Sequence, residues 1–385
     1  MINNRPEKAA RKKICFILPV EYVVDHFLLN HLKLLSTIYD ITVALNTNQS
    51  DLLFKRNINV KVFKIPFSRG IDLFNDIYCF FKLFFFLKSG KFEAVHSFTP
   101  KTGLVAMLCS MLVGIPIRIH IFTGQVWADK KGFRRYFLKY ADTITAFCAH
   151  YCLVDSQSQM TYLIENKVIS KNKAYVFGSG SISGVNLTKF KFDREVRNLL
   201  RQDLSIPQDA FCLIFLGRLS ISKGVLDLVE AFSQIDNPNL YLMIVGPDEG
   251  EIVREIEDRY FFITHRVRFV GYTYTPEHYM SAADVLCLPS YKEGFGSVII
   301  EAAAVGLPAI ASNIYGITDA IIDNVTGLLH DPKDIRGIRS SIECLFFNPS
   351  LYTKLSYSSR QRAIMEFDSN KISQYWLDFY LSNVN

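Results

Sequence analysis

The hydrophobic and polar positions of the chain form short apolar runs that alternate with longer stretches of helical period. In the first half, the short runs predict strands at residues 14–20, 41–45, 60–65, 94–98, 118–123 and 151–155. Helical patterns fill the intervals, at residues 24–37, 71–87, 103–113 and 133–149. Strands that alternate with helices form parallel sheets, so the pattern predicts an α/β fold for this half.

The same alternation restarts at residue 211, after a stretch without clear periodicity. Strands are predicted in FCLIFLGR, LYLMIVG, VRFVGY, VLCLPS and PAIAS, and helices at residues 225–235, 250–260, 276–283, 297–305 and 335–347. A chain of 385 residues exceeds the size at which one core usually keeps growing. We therefore expect two Rossmann-like, doubly wound parallel-sheet domains facing a deep cleft at the carboxyl ends of both sheets, where open α/β folds bind ligands.

A segment rich in Gly and Ser, GSGSISGVNLTKF (178–190), separates the two halves. Its glycines do not have the spacing of a dinucleotide fingerprint, which favours a turn or a loop that lines the cleft. We place the first domain at residues 1–185 and the second at residues 186–365. Residues 366–385 are predicted to form a helix that packs back on the first domain.

Charge divides the chain in the same way. Residues 1–190 carry 25 basic and 12 acidic side chains, net +13, whereas residues 191–385 carry 18 and 25, net −7. Two halves of opposite sign are expected to bind different partners. No nucleic-acid recognition motif accompanies the basic half, so we expect an anionic membrane surface as its partner and no nucleic acid.

Two basic and aromatic segments of the first half carry this expectation, IYCFFKLFFFLKSGK (77–91) and DKKGFRRYFLKY (129–140). They predict interfacial helices, and a buried helix of the α/β domain is the alternative for the first segment. The candidate membrane-facing residues are Lys82, Lys88, Lys91, Lys130, Lys131, Arg134 and Arg135. The longest apolar run, residues 103–117, is too short to span a bilayer, and the N-terminus does not match a signal peptide. We therefore expect a cytoplasmic protein that associates peripherally with the inner face of the cell membrane.

One acidic residue, Glu301, interrupts a helix that is otherwise apolar nearly all round. No Lys or Arg lies three or four residues away, so a buried carboxylate here needs a hydrogen-bond donor from elsewhere. Ser297 lies four residues earlier, on the same side of the helix. A vicinal diol such as a ribose supplies two hydroxyl donors to one carboxylate, which makes a bound nucleoside the predicted donor.

Two further motifs predict a bound diphosphate and sugar. Arg218 ends an apolar strand and Lys223 opens the next helix, an arrangement that suits a diphosphate, although solvated basic residues are the alternative. Glu293 precedes a Gly-Phe-Gly turn and is expected to reach hydroxyl groups beyond the phosphates, unless it is only a loop carboxylate. The helix that begins at Ser297 offers free N–H groups, unless Ser297 is a simple N-cap. The predicted donor-binding residues are Arg218, Lys223, Gly294, Phe295, Gly296, Ser297 and Glu301.

The pattern Glu293-x7-Glu301, followed by AAAVGLPAIAS, resembles the signature of family-4 retaining glycosyltransferases, which have the two-domain GT-B fold. GRLSISKG resembles their diphosphate-binding segment, and NVTGLLH their following segment. The first half resembles more loosely the bacterial transferases that build capsule, O-antigen, lipopolysaccharide or glycoprotein oligosaccharides on polyprenyl (undecaprenyl) diphosphate carriers. Its segments VHSFTPKTGLVA and IPIRIHIFTGQVW carry that similarity.

The resemblance implies roles for single residues. Arg218 and Lys223 would neutralise the leaving diphosphate, Glu301 would hold the ribose, and Glu293 would contact the donor sugar. The predicted catalytic residues are therefore Glu293, Arg218 and Lys223. The family is retaining and needs neither a metal nor a cofactor, and no Asp-x-Asp motif occurs in the chain. The candidates on the acceptor side are Asp25, His96, His120 and Thr123, with a core position as the alternative for each histidine.

These observations predict a retaining, metal-independent glycosyltransferase that moves a hexose or N-acetylhexosamine from a UDP-sugar to a polyprenyl-diphosphate-linked sugar. UDP-GalNAc is the preferred donor. Two alternatives stay open: a nucleotide-sugar 2-epimerase of the same architecture, and a non-catalytic protein that binds sugars or lipids on this scaffold.

Overall fold

The computed structural model describes residues 11–48, 58, 60–68, 70 and 72–384. The chain divides into two compact units. The first unit contains the described residues up to Val154, together with Leu163–Tyr175 and the chain from Ser373 onwards. The second unit contains Asp155–Tyr162 and Val176–Ile372.

The first unit is built on a seven-stranded sheet in which every neighbouring pair of strands is parallel. The strand order is β3-β2-β1-β4-β5-β6-β7. A π-helical turn, Val24–Leu28, joins the first two helices. The elements are β1 Lys13–Val20, α1 Glu21–Val23, α2 Leu29–Leu35, β2 Asp40–Asn46, β3 Lys61–Lys64, α3 Leu73–Gly90, β4 Ala94–Phe98, α4 Pro100–Val113, β5 Ile117–Phe122, α5 Gly132–Cys148, β6 Tyr151–Val154, α6 Gln157–Glu165 and β7 Ala174–Tyr175.

The second unit holds a six-stranded parallel sheet of order β10-β9-β8-β11-β12-β13. Its elements are α7 Arg194–Asp203, β8 Phe211–Leu216, α8 Val225–Ser233, β9 Leu240–Val245, α9 Ile252–Arg259, β10 Val267–Gly271, α10 Pro276–Ala282, β11 Val285–Leu288, α11 Ser297–Val305, β12 Ala309–Ser312, α12 Ile317–Ala320, β13 Gly327–His330, α13 Ile335–Phe347 and α14 Pro349–Glu366. The last helix, α15 Ser369–Asn383, begins in this unit and continues into the first.

Buried apolar strands explain both sheets. The inner residues of β1 and β8 are almost all buried, as expected for central strands that are covered on both faces by helices. Two clusters of buried side chains line the two faces of the second sheet, and α8 and α13 pack together over one of them. The predicted α/β fold with two parallel, doubly wound sheets is confirmed.

The division between the units differs from the predicted one in its details. The prediction changed domain at residue 185, whereas the contacts change unit between Tyr175 and Val176. The eight residues Asp155–Tyr162 belong to the second unit, although β6 before them belongs to the first. In the last helix, Trp376 and Tyr380 stack on Phe16 inside the first unit.

Candidate functional site

The residues predicted to bind a diphosphate and a sugar lie on the loops that follow two neighbouring strands, β8 and β11. Arg218 and Lys223 follow β8, and Glu293 follows β11. Because the two strands pair in parallel, their carboxyl ends and the loops after them lie at the same edge of the sheet. The topology of the second unit therefore places these loops side by side.

Lys223 and Glu293 form an ion pair in which Lys223 Nζ donates to Glu293 Oε1. Only 19% and 14% of the two side chains are exposed, so both charges are largely removed from water. Gly224 allows this approach: its φ is +67°, and a Cβ atom there would overlap the carbonyl group of Pro289 after β11. The structure thus brings together two of the three residues predicted to be catalytic.

Arg218 is held differently from Lys223. Its Nη1 donates to Glu249 Oε2 at 2.7 Å, and 59% of the Arg218 side chain is exposed. An exposed ion pair contributes about 0–1 kcal/mol, because water solvates both charges when they separate. Arg218 is therefore free to exchange Glu249 for another anion at little energetic cost.

The Gly-Phe-Gly turn shapes the start of α11. Gly296, with φ +74°, is the residue that caps the helix, and no side chain among the described residues accepts a hydrogen bond from the first N–H groups. Ser297 is the first helical residue, so the alternative that Ser297 itself is the N-cap is wrong. Phe295 is buried, and the uncapped helix start leaves N–H groups and a positive dipole end that suit an anion.

Glu301 lies one turn into α11 and is half-buried. Its carboxylate accepts no hydrogen bond from the described part of the chain, but it feels two charges that the local sequence does not reveal, Lys189 and Glu277. Lys189 Nζ pairs with Glu277 Oε2 at 3.5 Å. Burial raises the pKa of Glu301 to about 7, while Lys189 lowers that pKa and Glu277 raises it. The carboxylate of Glu301 can therefore still accept hydrogen bonds from a ligand.

The sequence-based prediction did not include two polar residues near the loop that carries Glu293. Asp155 is buried directly after β6, and burial raises its pKa to about 7, against the lowering effect of the Ile182 N–H and with a further rise from the charge of Glu293. Ser158 donates its hydroxyl to Asp319 and accepts the N–H of Gly316 at 2.7 Å. A carboxylate directly after an apolar strand was the available signal for Asp155.

Residues 196–362 match the sequence profile of the family Glycosyl transferases group 1. The chain carries a group 1 glycosyltransferase domain. The profile covers the second unit from α7 to α14 and includes every residue of the predicted donor site.

Three proteins named as glycosyltransferases are similar to the chain over most of its length. The capsular polysaccharide biosynthesis glycosyltransferase CapM of Staphylococcus aureus is 28% identical over 86% of this chain and 92% of its own. The UDP-Gal:alpha-D-GlcNAc-diphosphoundecaprenol alpha-1,3-galactosyltransferase of Escherichia coli is 27% identical over 72% of each chain. The N,N'-diacetylbacillosaminyl-diphospho-undecaprenol alpha-1,3-N-acetylgalactosaminyltransferase of Campylobacter jejuni is 25% identical over 84% of this chain and 86% of its own.

Solved structures share the fold of this chain. HepE of Anabaena, crystallised in complex with UDP, superposes with a TM-score of 0.80 at 20% identity and covers 96% of this chain and 100% of its own. WaaG, a glycosyltransferase involved in lipopolysaccharide biosynthesis, gives a TM-score of 0.73 at 16% identity over 95% and 99%. The predicted GT-B fold and the resemblance to capsule and O-antigen glycosyltransferases are confirmed.

The two candidate histidines lie inside the first unit. His96 Nδ1 lies 2.6 Å from Tyr380 Oη, and His120 Nδ1 lies 2.8 Å from Ser97 Oγ. Burial lowers the pKa of His96 well below its ordinary value and that of His120 to about 3. Gly103 packs so closely on His120 that a Cβ atom would overlap the ring. These are the contacts of core histidines, the alternative that the sequence left open.

The other two acceptor-side candidates lie near strand ends of the first sheet. Asp25 is exposed in the π-helical turn, and Thr123 is half-buried directly after β5. Their predicted roles toward an acceptor stay predictions.

The predicted membrane-facing residues differ in exposure. Lys88, Lys91, Lys130, Lys131 and Arg134 are exposed, whereas Lys82 and Arg135 are half-buried. Arg135 Nη1 donates to the carbonyl groups of Trp127 and Ala128 at 3.2 and 3.0 Å. Lys82 Nζ lies over the ring of Tyr78, 5.6 Å from its centroid. Arg135 is therefore engaged with the backbone of its own unit.

Proposed function

We propose that this protein is a retaining, metal-independent glycosyltransferase that moves a hexose or N-acetylhexosamine from a UDP-sugar to a polyprenyl-diphosphate-linked sugar. The product would be a lipid-linked intermediate of capsule, O-antigen or a related surface polysaccharide. The observation that carries the proposal is the Lys223–Glu293 ion pair beside the uncapped start of α11. A cation for the leaving group and a carboxylate for the sugar stand together there.

The diphosphate is proposed to bind by exchange of ion-pair partners. Lys223 leaves Glu293 for a phosphate oxygen, Arg218 leaves Glu249, and the first N–H groups of α11 point toward the added negative charge. Glu293 then becomes available to a hydroxyl group of the donor sugar. Catalysis rests on positioning of the substrates and on stabilisation of the charge that develops on the leaving diphosphate, so no protein nucleophile is needed.

The nucleoside is proposed to supply the donor that Glu301 lacks. Its half-buried carboxylate accepts no hydrogen bond from the described residues, and two ribose hydroxyls satisfy it at once. UDP as the nucleotide draws support from the relative in E. coli, whose name specifies UDP-Gal, and from HepE, whose crystals contain UDP.

The acceptor and the sugar are proposed from the curated relatives. The names of the transferases from E. coli and C. jejuni specify sugars on diphosphoundecaprenol, and the second name specifies N-acetylgalactosamine as the sugar transferred. CapM acts in capsular polysaccharide biosynthesis according to its name. GalNAc is accordingly the preferred donor sugar, and a lipid diphosphate sugar the preferred acceptor.

The membrane is proposed to contact the helix layer of the first unit. Helix α4 packs against both α3 and α5, so the three helices lie side by side. Exposed apolar side chains on them accompany the exposed lysines and Arg134 described above: Leu73, Phe74, Ile77, Tyr78, Phe81, Phe85, Leu112, Phe133, Tyr136, Phe137, Tyr140 and Phe147. Aromatic rings with basic side chains suit the headgroup region of an anionic leaflet. Among the described helices, none has the length and apolarity to cross a membrane.

The test is a product analysis on purified protein. UDP-GalNAc, UDP-GlcNAc, UDP-Gal and UDP-Glc are each incubated with short polyprenyl diphosphate sugars, and products are read by mass and by the anomeric NMR coupling. We expect one UDP-sugar to extend one lipid-linked acceptor with retention of the anomeric configuration. Conversion of a UDP-sugar without any acceptor would instead identify a 2-epimerase. Binding of UDP without turnover on any pair would identify a binding protein.

A further inference from the structure

Asp155 is a buried carboxylate that the proposed reaction has not used. Its side chain accepts the N–H of Ile182 at 3.2 Å. Its backbone is held on both sides, because its N–H donates to Gln159 Oε1 at 2.9 Å and its carbonyl accepts the N–H of Ser181 at 2.7 Å. The carboxylate therefore keeps its place when its surroundings change charge.

Two contacts attach the neighbourhood of Asp155 to the loop that carries Glu293. Gly180 lies between the Asp155 carbonyl and the Phe295 ring, since a Cβ atom on it would stand 3.0 and 2.8 Å from them. The N–H of Gly316 donates to Ser158 Oγ. A Cβ atom added to Gly316 would stand 2.5 Å from the Gly294 carbonyl oxygen, so the two glycines are in close contact. The loop that carries Glu293 is thus packed against Gly316 at Gly294 and against Gly180 at Phe295.

Among the residues that the structure describes, the charge that shifts the pKa of Asp155 is that of Glu293, which is itself paired with Lys223. Asp319 accepts hydrogen bonds from the hydroxyl and the N–H of Ser158. In the absence of a ligand, the cation of Lys223 thus offsets the charge of Glu293, which is the carboxylate that acts on Asp155. An anion that draws Lys223 away leaves Glu293 without its cation.

We propose that Asp155 is a positioning residue of the donor site, which takes up a proton from solvent when the diphosphate of the donor draws Lys223 away from Glu293. The inference rests on the proposed function. Lys223 exchanges the Glu293 oxygen for a phosphate oxygen, and the two carboxylates then hold one proton between them. That proton removes the repulsion that would otherwise push the Glu293 loop away from the bound sugar.

The sign of the effect follows from linkage. The pKa of Asp155 without ligand is about 7, and an incoming anion raises it further. The bound state then holds more protons than the free state above pH 7, so the affinity for UDP falls as pH rises. One proton corresponds to a change in Kd of about tenfold per pH unit. Since the second phosphate pKa is about 6, the charge of UDP itself is constant in this range.

The experiment is titration calorimetry of UDP binding at several pH values between neutral and mildly alkaline, in two buffers of different ionisation enthalpy. At about pH 8, one unit above the pKa of Glu301, that residue is already ionised and releases few protons when ribose binds. There we expect the wild-type protein to take up as much as about one proton per UDP, with Kd rising up to about tenfold per pH unit. D155N and E293Q should abolish the uptake and flatten the slope. Inorganic diphosphate, which has no ribose for Glu301, should show the same difference between wild type and D155N.

Asp142 offers a matched control, since it is another buried carboxylate whose pKa burial raises, to about 6, and it lies in the first unit. Its Oδ2 accepts the indole N–H of Trp127 at 2.7 Å. D142N should keep the proton uptake of the wild type. Uptake that persists in D155N, or an absence of uptake in the wild type, would overturn the inference while leaving the transferase intact. If D155N does not fold, E293Q and the wild type decide the matter. A protein that binds no UDP would overturn the proposed function together with this inference.

Discussion

The two units hold their charged side chains in opposite settings. In the second unit, Lys223 and Glu293 are largely buried against each other, and Glu301 is half-buried in an apolar helix. In the first unit, Lys88 and Arg134 are exposed to solvent among exposed aromatic rings. Burial strengthens a charge interaction and shifts pKa values, whereas exposed charges act weakly and are screened beyond about 8–10 Å.

This difference separates two tasks. Partly buried charges recognise one group in one geometry, because a partner that does not fit leaves them unpaired at a high cost. Exposed charges beside aromatic rings attract any anionic surface without demanding a geometry. Variants in each unit test whether the second unit carries out the transfer reaction and the first unit attaches the protein to membranes.

The largest effect is expected at Lys223. K223A removes the cation that we propose lies opposite the leaving diphosphate, and it leaves Glu293 without its partner. The value of kcat should therefore fall by about 10²–10³-fold, the loss typical of one transition-state donor. R218A should also cut turnover strongly, and by less, because Arg218 is more exposed and less rigidly placed. Steady-state kinetics with the donor identified by the product analysis measures both.

The control for these variants is K61A, which removes a lysine paired with Asp40 at 2.8 Å in the first unit. It should leave kcat and KM unchanged. Near-normal turnover of K223A would remove Lys223 from the leaving-group site and leave its ion pair as a purely structural contact.

The second effect concerns Glu301 and pH. E301Q should weaken UDP binding by about tenfold, because one charge-assisted pair of hydrogen bonds is replaced by neutral ones. The pKa of Glu301 is about 7, and ribose hydroxyls favour its ionised form. In the wild type, affinity for UDP should therefore rise as pH increases from below 6 towards 7. E301Q should lose the part of this rise that Glu301 contributes and keep the part that comes from the second phosphate ionisation of UDP.

Calorimetry of UDP binding at acidic and neutral pH measures this pH dependence of the affinity, with E343Q as the control. Glu343 is a helical carboxylate in a half-buried pair with Arg339 on α13. A change in melting temperature without a change in UDP affinity for E301Q would make Glu301 a structural residue.

The third effect is on membrane attachment. The triple variant K82E/K88E/K91E reverses three charges on α3, each contributing about 1 kcal/mol near an anionic surface, so vesicle partitioning should fall at least about tenfold. Co-sedimentation with vesicles containing phosphatidylglycerol measures it. The matched variant K33E/K167E/K171E changes the same charge on exposed residues outside the α3–α5 layer and should remain bound. Equal partitioning of the two variants would mean that net charge, not this face, governs attachment.

The smallest effect separates two adjacent arginines on α5. R135A should lower the free energy of unfolding by about 1–3 kcal/mol, because it leaves the Trp127 and Ala128 carbonyls without their charged donor. R134A should change it by less than about 0.5 kcal/mol and should instead weaken vesicle binding. Chemical denaturation and co-sedimentation on both variants separate the two roles, and similar stabilities would contradict the distinction.

Most of the sheets and many helices could be predicted, because their signals are local. The predicted helix 297–305 coincides with α11, where an apolar run follows glycines, and FCLIFLGR contains β8. Helix α7, REVRNLLRQD, was missed because half of its residues are charged and only three are apolar. It is held by a tertiary contact, in which buried Arg201 donates to Asp284 at 2.8 Å.

The candidate site divides along the same line. Spacing along one helix or after one strand, read in sequence order, was enough to select Arg218, Lys223, Glu293 and Glu301, because strand ends and helix turns obey local geometry. Which charged side chains pair with each other could not be predicted in this way. Lys223 and Glu293 are 70 residues apart, and no local rule joins them. Folding also decided that Lys189 and Glu277 accompany Glu301, that Asp155 stands near Glu293, and that His96 and His120 belong to the core, because only the packing of distant segments sets the burial and the neighbours that control a charge.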